Sequence, residues 1–170
     1  MAVRALGIDP GTRLTGWGVV EAARDGLRHL ESGTLALPAR ESIAARLARL
    51  HGAVQALIGR WAPDAVVLER AFVAANARSA LRLGEARGAV LAAVAATGTP
   101  VHEFAPAEIK LAAVGHGRAD KPSVMHGVRV VLGLESTPPP DAADALAMAL
   151  CWLQQASLRA ALARAEGACE

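Results

Sequence analysis

The stretch that most constrains the fold is an apolar run that ends in one acid, turns at once and starts a second extended run. It reads Leu6-Gly-Ile-Asp-Pro-Gly-Thr-Arg-Leu-Thr-Gly-Trp-Gly-Val-Val20. Apolar runs bounded by Pro and Gly predict two strands joined by a short turn. Asp9 closes the first strand, where burial of a carboxylate is costly unless it meets a cation, a metal or several donors. The stretch therefore predicts a hairpin whose first strand delivers Asp9 to a site.

Beyond this hairpin the chain predicts an alternation of helices and strands. Further strands are expected over 27–37, 65–69 and 100–104. Apolar residues at steps of three and four predict a helix over 42–61. Other helices are expected over 76–97, 107–113 and 121–132, and a last one begins at the prolines 138–140, which suit a first helical turn. Three antiparallel strands followed by this alternation favour a mixed α/β sheet with helices on its faces.

Length and composition indicate one globular domain. The chain has 170 residues, 53 % of them hydrophobic, and a formal charge of only +2, so a polyanion would need a local basic patch. We expect a single domain over 1–155 and an Ala/Arg-rich tail over 156–170 that is either a helical extension or disordered. Two cysteines outside any metal or disulfide spacing, with no leader and no membrane-length apolar stretch, predict a soluble cytoplasmic protein.

Four acids stand at the ends of predicted elements. Asp9 and Glu69 each close an apolar strand, and Asp141 and Asp144 open the last helix at i, i+3, which sets them on one face. Each acid also has an ordinary structural explanation. Asp9 could cap its own turn, Glu69 could pair with Arg70, and the two aspartates could be first-turn acids favoured by the helix dipole. If the two strands are neighbours and the last helix crosses their ends, all four carboxylates meet.

Carboxylates that meet in this way favour a divalent metal. Four of them in one small volume would repel one another and raise pKa values as a coupled set. One or two hard cations remove that conflict, because Mg²⁺ prefers carboxylate oxygen. Two such ions about 4 Å apart form a known clamp for in-line displacement at a phosphodiester. The acids therefore point to phosphoryl chemistry.

A phosphodiester substrate also needs positive charge near these acids. The candidate phosphate contacts are Arg78, Arg82, Lys110, Arg118 and Lys121. Lys121 opens a helix after a glycine-rich loop that could bring it near the acids, whereas Arg87 is interpreted as part of a solvated helix face. Phe72, just past Glu69, is either an aromatic that stacks on an unpaired base or a loop residue packed on the core.

Several of these segments occur together in the order seen in one known family. They include Gly7-Ile-Asp-Pro-Gly-Thr12, Thr15-Gly-Trp-Gly18, Glu69-Arg-Ala-Phe72, Leu83-Gly-Glu-Ala-Arg-Gly88, Val114-Gly-His-Gly117, Asp120-Lys121 and Asp141-Ala-Ala-Asp-Ala-Leu-Ala147. Over roughly residues 4 to 154 the chain resembles RuvC-type Holliday-junction resolvases.

This resemblance implies a ribonuclease-H-like fold with a five-stranded mixed sheet flanked by helices, and a homodimer. It implies symmetric hydrolysis of four-way DNA junctions in recombination and repair, with Mg²⁺ or Mn²⁺, two ions per site, and a branch-migration helicase complex of the RuvA and RuvB type as partner. The residues that match the family's catalytic and metal-binding acids are Asp9, Glu69, Asp141 and Asp144. Phe72 matches the aromatic that contacts bases, and Lys110 and Lys121 match basic residues near the scissile phosphate. Gly84 and Gly88 form a small-residue stripe that would pack on the sheet or against a second copy.

The chain departs from the family pattern at Pro122-Ser123, after the lysine, and at Val73, after the aromatic. Other function classes make different demands. Sugar kinases and actin-like ATPases share the opening strand–acid–turn signature but need two such domains, and a non-catalytic module would not need four acids at element ends. A structured-RNA nuclease of related fold is the nearest alternative.

Overall fold

The computed structural model describes residues 2–70 and 77–167, with the side chains of the second segment as far as residue 163. Its centre is one sheet formed by β1 (Val3–Asp9), β2 (Leu14–Ala23), β3 (Gly26–Ala36), β4 (Ala65–Glu69) and β5 (Val101–Phe104). The strand order is β3-β2-β1-β4-β5. The β1–β2 and β2–β3 pairs are antiparallel, and the β1–β4 and β4–β5 pairs are parallel. The predicted five-stranded mixed sheet is confirmed.

Of the five described helices, the first four begin and end within one or two residues of their predicted bounds, and the last begins at the end of the predicted proline run. They are α1 (Ile43–Trp61), α2 (Ala77–Ala95), α3 (Pro106–Val114), α4 (Lys121–Val131) and α5 (Pro140–Gly167). Asp120 caps α4 by accepting a hydrogen bond from the Ser123 amide, and Pro122 falls in the first turn, where its missing N–H is not needed. The Pro122-Ser123 departure therefore leaves the start of this helix intact. Among the described helices, none is long and apolar enough to cross a membrane.

Helices cover both faces of the sheet, and strand alternation decides which residues meet which helices. Leu6 and Ile8 of β1 are buried in the core that includes α1 and α2. Ala5 is buried in the second core, with α3, α4 and α5. The same alternation runs along β4. Asp9 and Glu69, the last residues of these strands, therefore share the face that carries α5.

The last helix continues past the predicted end of the domain. It runs without interruption to Gly167, so the described part of the tail is a helical extension of α5. Leu158 and Leu162 on this extension are exposed. The division into a domain over 1–155 and a separate tail stays a prediction.

Candidate active site

Asp9 and Glu69 come together because they end two adjacent parallel strands. In the pairing of β1 with β4, Gly7 lies opposite Val67, and continuing that register by two residues sets Asp9 opposite Glu69. Parallel strands end at the same edge of a sheet, and side chains two residues apart share a face. The two carboxylates therefore leave the sheet at one edge and on the face covered by α5.

The turn after Asp9 is held by two side chains, Thr15 and Arg46, that were not predicted as site residues. Thr15 is fully buried, and its Oγ1 donates to the Gly11 carbonyl at 3.0 Å and accepts from the Gly11 amide at 3.1 Å. Arg46 of α1 donates from Nη1 to the Thr12 carbonyl at 2.7 Å. Both contacts fix the chain just beyond Asp9. Thr15 lies inside a recognisable motif, but nothing in the spacing of Arg46 predicts its contact.

Glycines in the sheet let α5 lie directly on β1 and β2. A Cβ at Gly7 would overlap the carbonyl oxygen of Ala145, and a Cβ at Gly16 would overlap the carbonyl oxygen of Asp141. The close approach brings the first turns of α5 over the end of β1. Asp141 and Asp144 are one helical turn apart, so both come to the side of the sheet where Asp9 and Glu69 end.

The charges of these four acids act on one another. Burial raises the pKa of Asp9 from 3.8 to about 7, assisted by the negative charges of Asp144, Asp141 and Glu69 and opposed by Lys121. Burial and Asp144 likewise raise the pKa of Glu69. The other three predicted acids therefore lie close enough to act electrostatically on Asp9, whose environment disfavours its charged form.

Lys121 forms an ion pair with one acid of this cluster. Its Nζ lies 2.7 Å from Oδ2 of Asp144, and this hydrogen bond raises the pKa of the ammonium. Lys110 and Arg87 act on Glu69, where their positive charges oppose the rise in pKa. A cavity at the site is lined by Glu69, Lys110, Lys121 and Asp144 and by the apolar side chains of Pro106, Ile109, Val124 and Met148. A substrate phosphate in this cavity would meet two ammonium groups.

The four carboxylates are the donor type that a hard divalent cation prefers, but their side chains are not close enough together to coordinate one ion. Within residues 2–70 and 77–163, no three His, Cys, Asp or Glu side chains are grouped closely enough to form a ready-made metal site. Asp144 is instead paired with the ammonium of Lys121. Carboxylate oxygens are the ligands that Mg²⁺ and Mn²⁺ prefer. The pKa of Asp9 is raised first by burial and then by the neighbouring acids, and a cation bound there would offset both effects.

The remaining predicted DNA contacts do not line the cavity that holds Glu69 and Asp144 in the part of the chain that the structure describes. Arg78 and Arg82 are exposed and one turn apart on α2. Arg118 is exposed in the loop between α3 and α4. Phe72, the predicted base-contacting aromatic, and the neighbouring departure Val73 lie outside the described residues.

The interpretation of Arg87 as a solvated residue is wrong. Its side chain is only 14 % exposed and reaches the sheet, where Nη1 donates to the backbone carbonyl of Glu69 at 2.7 Å and Nη2 pairs with Glu103 of β5. Position 87 follows Arg82 on the same helix, and only the way α2 packs on the sheet distinguishes the two arginines.

Gly84 and Gly88 have no neighbour that requires a glycine in the described structure. A Cβ at either position would have no heavy atom of the described residues, beyond its own helix and chain neighbours, within 4 Å. Of the two packing modes predicted for this stripe, packing against the sheet is therefore not observed, and the stripe faces outward.

Comparison with known proteins agrees with this architecture. Residues 5–152 match the family model described as "Crossover junction endodeoxyribonuclease RuvC". The chain is 50 % identical over 162 residues to the crossover junction endodeoxyribonuclease RuvC of Alkalilimnicola ehrlichii, covering 95 % of this chain and 98 % of that one. It is similar to the Thermus thermophilus RuvC structure, with a TM-score of 0.83 and 36 % identity over 92 % of this chain and 96 % of the other.

A second solved structure is T. thermophilus RuvC in complex with a Holliday junction substrate, with a TM-score of 0.82 and 37 % identity over 88 % of this chain and 92 % of that one. Family model, relatives and fold thus agree over almost the whole chain. The chain belongs to the RuvC family of crossover junction endodeoxyribonucleases, and its function is the nuclease function of that family.

Proposed function

We propose that this chain resolves four-way DNA junctions by metal-dependent hydrolysis of one phosphodiester bond per subunit, with Asp9, Glu69, Asp141 and Asp144 as its metal-binding acids. The observation that carries the proposal is the meeting of these four acids at one edge of the sheet, where burial and mutual repulsion hold the pKa of Asp9 at about 7. A structural cluster without a ligand would gain nothing from that repulsion.

Nucleases of this family are metal-dependent. We infer Mg²⁺ or Mn²⁺, with two ions per site, because all four donors are carboxylates. When bound, such ions supply an activated water and stabilise the leaving oxygen. The strand ends hold Asp9 and Glu69 on one side of the site, and α5 holds Asp141 and Asp144 on the other.

Lys121 has two successive roles in this proposal. Without a metal its ammonium neutralises Asp144 at 2.7 Å. If Asp144 served as a metal ligand, the ammonium of Lys121 would be available in the same cavity, where it and Lys110 could bind the scissile phosphate. In the metal-free protein, the charge of Lys121 therefore partly cancels the effect of Asp144 on Asp9. In the metal-bound protein, Lys121 would contact the substrate phosphate.

The junction itself requires contacts beyond the catalytic cavity. We infer that Arg78, Arg82 and Arg118 bind backbone phosphates, because they are exposed, and that Phe72 contacts bases. We also infer a homodimer through α2, because Leu81, Gly84 and Gly88 lie on one face of that helix and are exposed. A two-fold dimer would cut two strands symmetrically. The RuvA- and RuvB-type partner and the cytoplasmic location stay predictions.

The test compares three substrates and one variant. Wild-type protein with Mg²⁺ or Mn²⁺ should cut a mobile four-way junction in symmetric strands and leave a linear duplex and a folded RNA largely uncut. Asp9→Asn should abolish cleavage and leave junction binding within about twofold, because phosphate contacts dominate affinity. Cleavage by Asp9→Asn at a rate near that of the wild type would refute the acid assignment. Preferential cleavage of the folded RNA would refute the substrate.

A further inference from the structure

Arg87 joins α2 to the strand end that carries Glu69. Its side chain is 14 % exposed, and its two terminal nitrogens have different partners. Nη1 donates to the backbone carbonyl of Glu69 at 2.7 Å, and Nη2 pairs with the carboxylate of Glu103. Glu103 lies on β5, next to the residue that pairs with Glu69. One guanidinium therefore links a helix to the ends of two neighbouring strands.

These contacts fix the peptide unit that follows Glu69. The carbonyl of that unit accepts from Arg87 at 2.7 Å, and its N–H, on Arg70, donates to the Phe104 carbonyl at 2.7 Å. The same peptide group is thus held through its oxygen and through its nitrogen. Its plane sets the backbone angle of Glu69, and with it the direction in which the Glu69 side chain leaves the sheet.

Arg87 contacts the backbone carbonyl of Glu69 and not its carboxylate, and the ion pair with Glu103 explains this choice. The side chain of Glu69 lines the catalytic cavity. A free guanidinium this close would favour a two-pronged pair with a carboxylate. Here Nη2 is already engaged by Glu103, whose side chain is 39 % exposed and lies on β5. The positive charge still acts on Glu69 from a short distance and opposes the rise in its pKa.

We propose that Arg87 is a positioning residue for Glu69, which aims the carboxylate by holding the carbonyl of the same residue, and that Glu103 keeps the guanidinium in that place. This inference rests on the proposed function in that it takes Glu69 as a metal ligand. It assigns Arg87 no contact with the substrate or the reacting atoms.

The experiment measures metal binding and cleavage in the full-length chain. Mn²⁺ binding to Arg87→Met without DNA is followed by calorimetry, and single-turnover cleavage is measured over a range of junction and Mn²⁺ concentrations. We expect a metal Kd and a maximal cleavage rate that are each about tenfold worse, since loss of an outer-shell partner commonly costs 10–100-fold. Junction affinity should change less than about twofold, because Arg87 makes no phosphate contact in this scheme.

Two further variants separate positioning from simple loss of structure. Arg87→Lys keeps a donor that can reach the Glu69 carbonyl and should recover part of the metal affinity. Glu103→Gln keeps Arg87 and should weaken metal binding by a smaller factor at a melting temperature close to that of the wild type. If Arg87→Met fails to fold, these two variants decide the matter, and unchanged metal affinity in both overturns the inference.

The matched control is Arg49→Met, which removes an arginine paired with Glu41 at 2.7 Å on the exposed side of α1. It should leave metal affinity and cleavage unchanged. Metal affinity and rate in Arg87→Met that equal those of this control would refute the positioning role. Asp9→Asn keeps the two proposals apart: if it remains active, the proposed function fails, whereas an inactive Asp9→Asn with a fully active Arg87→Met refutes only the role of Arg87.

Discussion

Asp9 shows at the scale of one residue how the proposed chemistry conflicts with stability. Asp9 ends a strand, precedes a turn held by Thr15 and Arg46, and lies near the start of α5. The groups that act on it are Asp144, Asp141, Glu69 and Lys121. In the absence of a cation, the folded protein therefore binds a proton at Asp9 more tightly than the unfolded chain does.

This conflict predicts how stability depends on pH. The pKa of Asp9 is about 7 in the folded state against 3.8 for an unperturbed aspartate, so between those values the folded state binds more protons. The contribution of Asp9 to the stability of the metal-free protein is therefore present below about pH 4 and should be lost as the pH rises to about 7. Asp9→Asn removes the carboxylate, so near pH 8 in EDTA the variant should melt at least about 3 °C higher than the wild type. For a domain of this size, each kcal/mol of unfolding free energy shifts the melting temperature by about 2–4 °C.

Thermal denaturation of the two proteins near pH 5.5 and near pH 8 measures this effect, because their difference cancels the other titrating groups. The gap should close on acidification, when Asp9 of the wild type takes up its proton. Added Mn²⁺ near pH 8 should stabilise the wild type more than the variant, since the variant lacks one ligand. An equal melting temperature for both proteins at each pH would contradict the burial of a repelled charge at Asp9.

Thr15 gives a second test at this scale. Its hydroxyl both donates to and accepts from the backbone of Gly11, inside a fully buried site. Thr15→Val keeps the shape but leaves both groups of Gly11 without that partner, which should cost about 1–3 kcal/mol of unfolding free energy. Thr15→Ser keeps the hydroxyl and should lose less. Urea denaturation measures both variants, and a Thr15→Val variant that is as stable as Thr15→Ser would show that the hydroxyl does not hold the turn.

The sequence predicts the acids of this site and misses the residues that position them, for physical reasons. Asp9 and Glu69 end apolar runs, and Asp141 and Asp144 have a helical spacing, so all four can be recognised from the local sequence pattern. Arg87 leaves none, because its burial depends on how α2 packs against β4 and β5. The local sequence spacing shows which side chains share a face of a helix or strand. Only the tertiary structure shows which other elements that face contacts.

At the scale of elements, the site depends on how closely α5 lies on the sheet. The sequence predicts the glycine-rich β2 as a strand, but it does not predict that its glycines allow close packing of α5. That packing involves a helix more than 100 residues later in the chain. Gly16 pairs with Asp9 across β1 and β2 and lies under the carbonyl of Asp141. The direct contact between the backbones of β2 and α5 at Gly16 therefore sets the distance between the strand acids and the helix acids.

Gly16→Ala tests this dependence. The added methyl group would overlap the backbone and Cβ of Asp141, so α5 must shift at its start. We expect a loss of about 1–3 kcal/mol in unfolding free energy from overpacking. We also expect at least a tenfold loss of cleavage, because small displacements of catalytic groups are costly.

The matched control for this variant is Gly59→Ala in α1, where an added Cβ meets nothing within 4 Å. It should be neutral or stabilising by up to about 1 kcal/mol, since alanine favours a helix over glycine. Denaturation and junction cleavage measure both proteins. Full activity in Gly16→Ala would mean that the close approach of α5 is not needed to assemble the acids.

At the scale of the whole molecule, α2 has two different faces. One carries Arg87 inward to the strand that ends in Glu69, and the other presents Leu81, Gly84 and Gly88 outward. The fold class and element order could be predicted from sequence, since strand and helix periods differ. The partner of the outward face could not, because an exposed small-residue stripe has the same pattern whether it meets a sheet or a second chain.

The proposed dimer through this stripe gives the last prediction. Gly84→Gln and Gly88→Gln place a long side chain where the described structure has open space, so the folded monomer should keep its stability or gain slightly from better helix propensity. Two copies in contact through the stripe would be forced apart, so sedimentation velocity should show a shift from dimer to monomer. Gly52→Gln in α1, where an added Cβ also meets nothing within 4 Å, is the matched control and should remain dimeric.

Junction cleavage by the same variants separates assembly from catalysis. Each site would still hold its acids, since α2 contacts Glu69 through its inward face. The variants should therefore nick single strands without the paired cuts that a dimer makes, because two symmetric sites require two joined copies. Variants that stay dimeric and cut in pairs would place the interface elsewhere on the molecule.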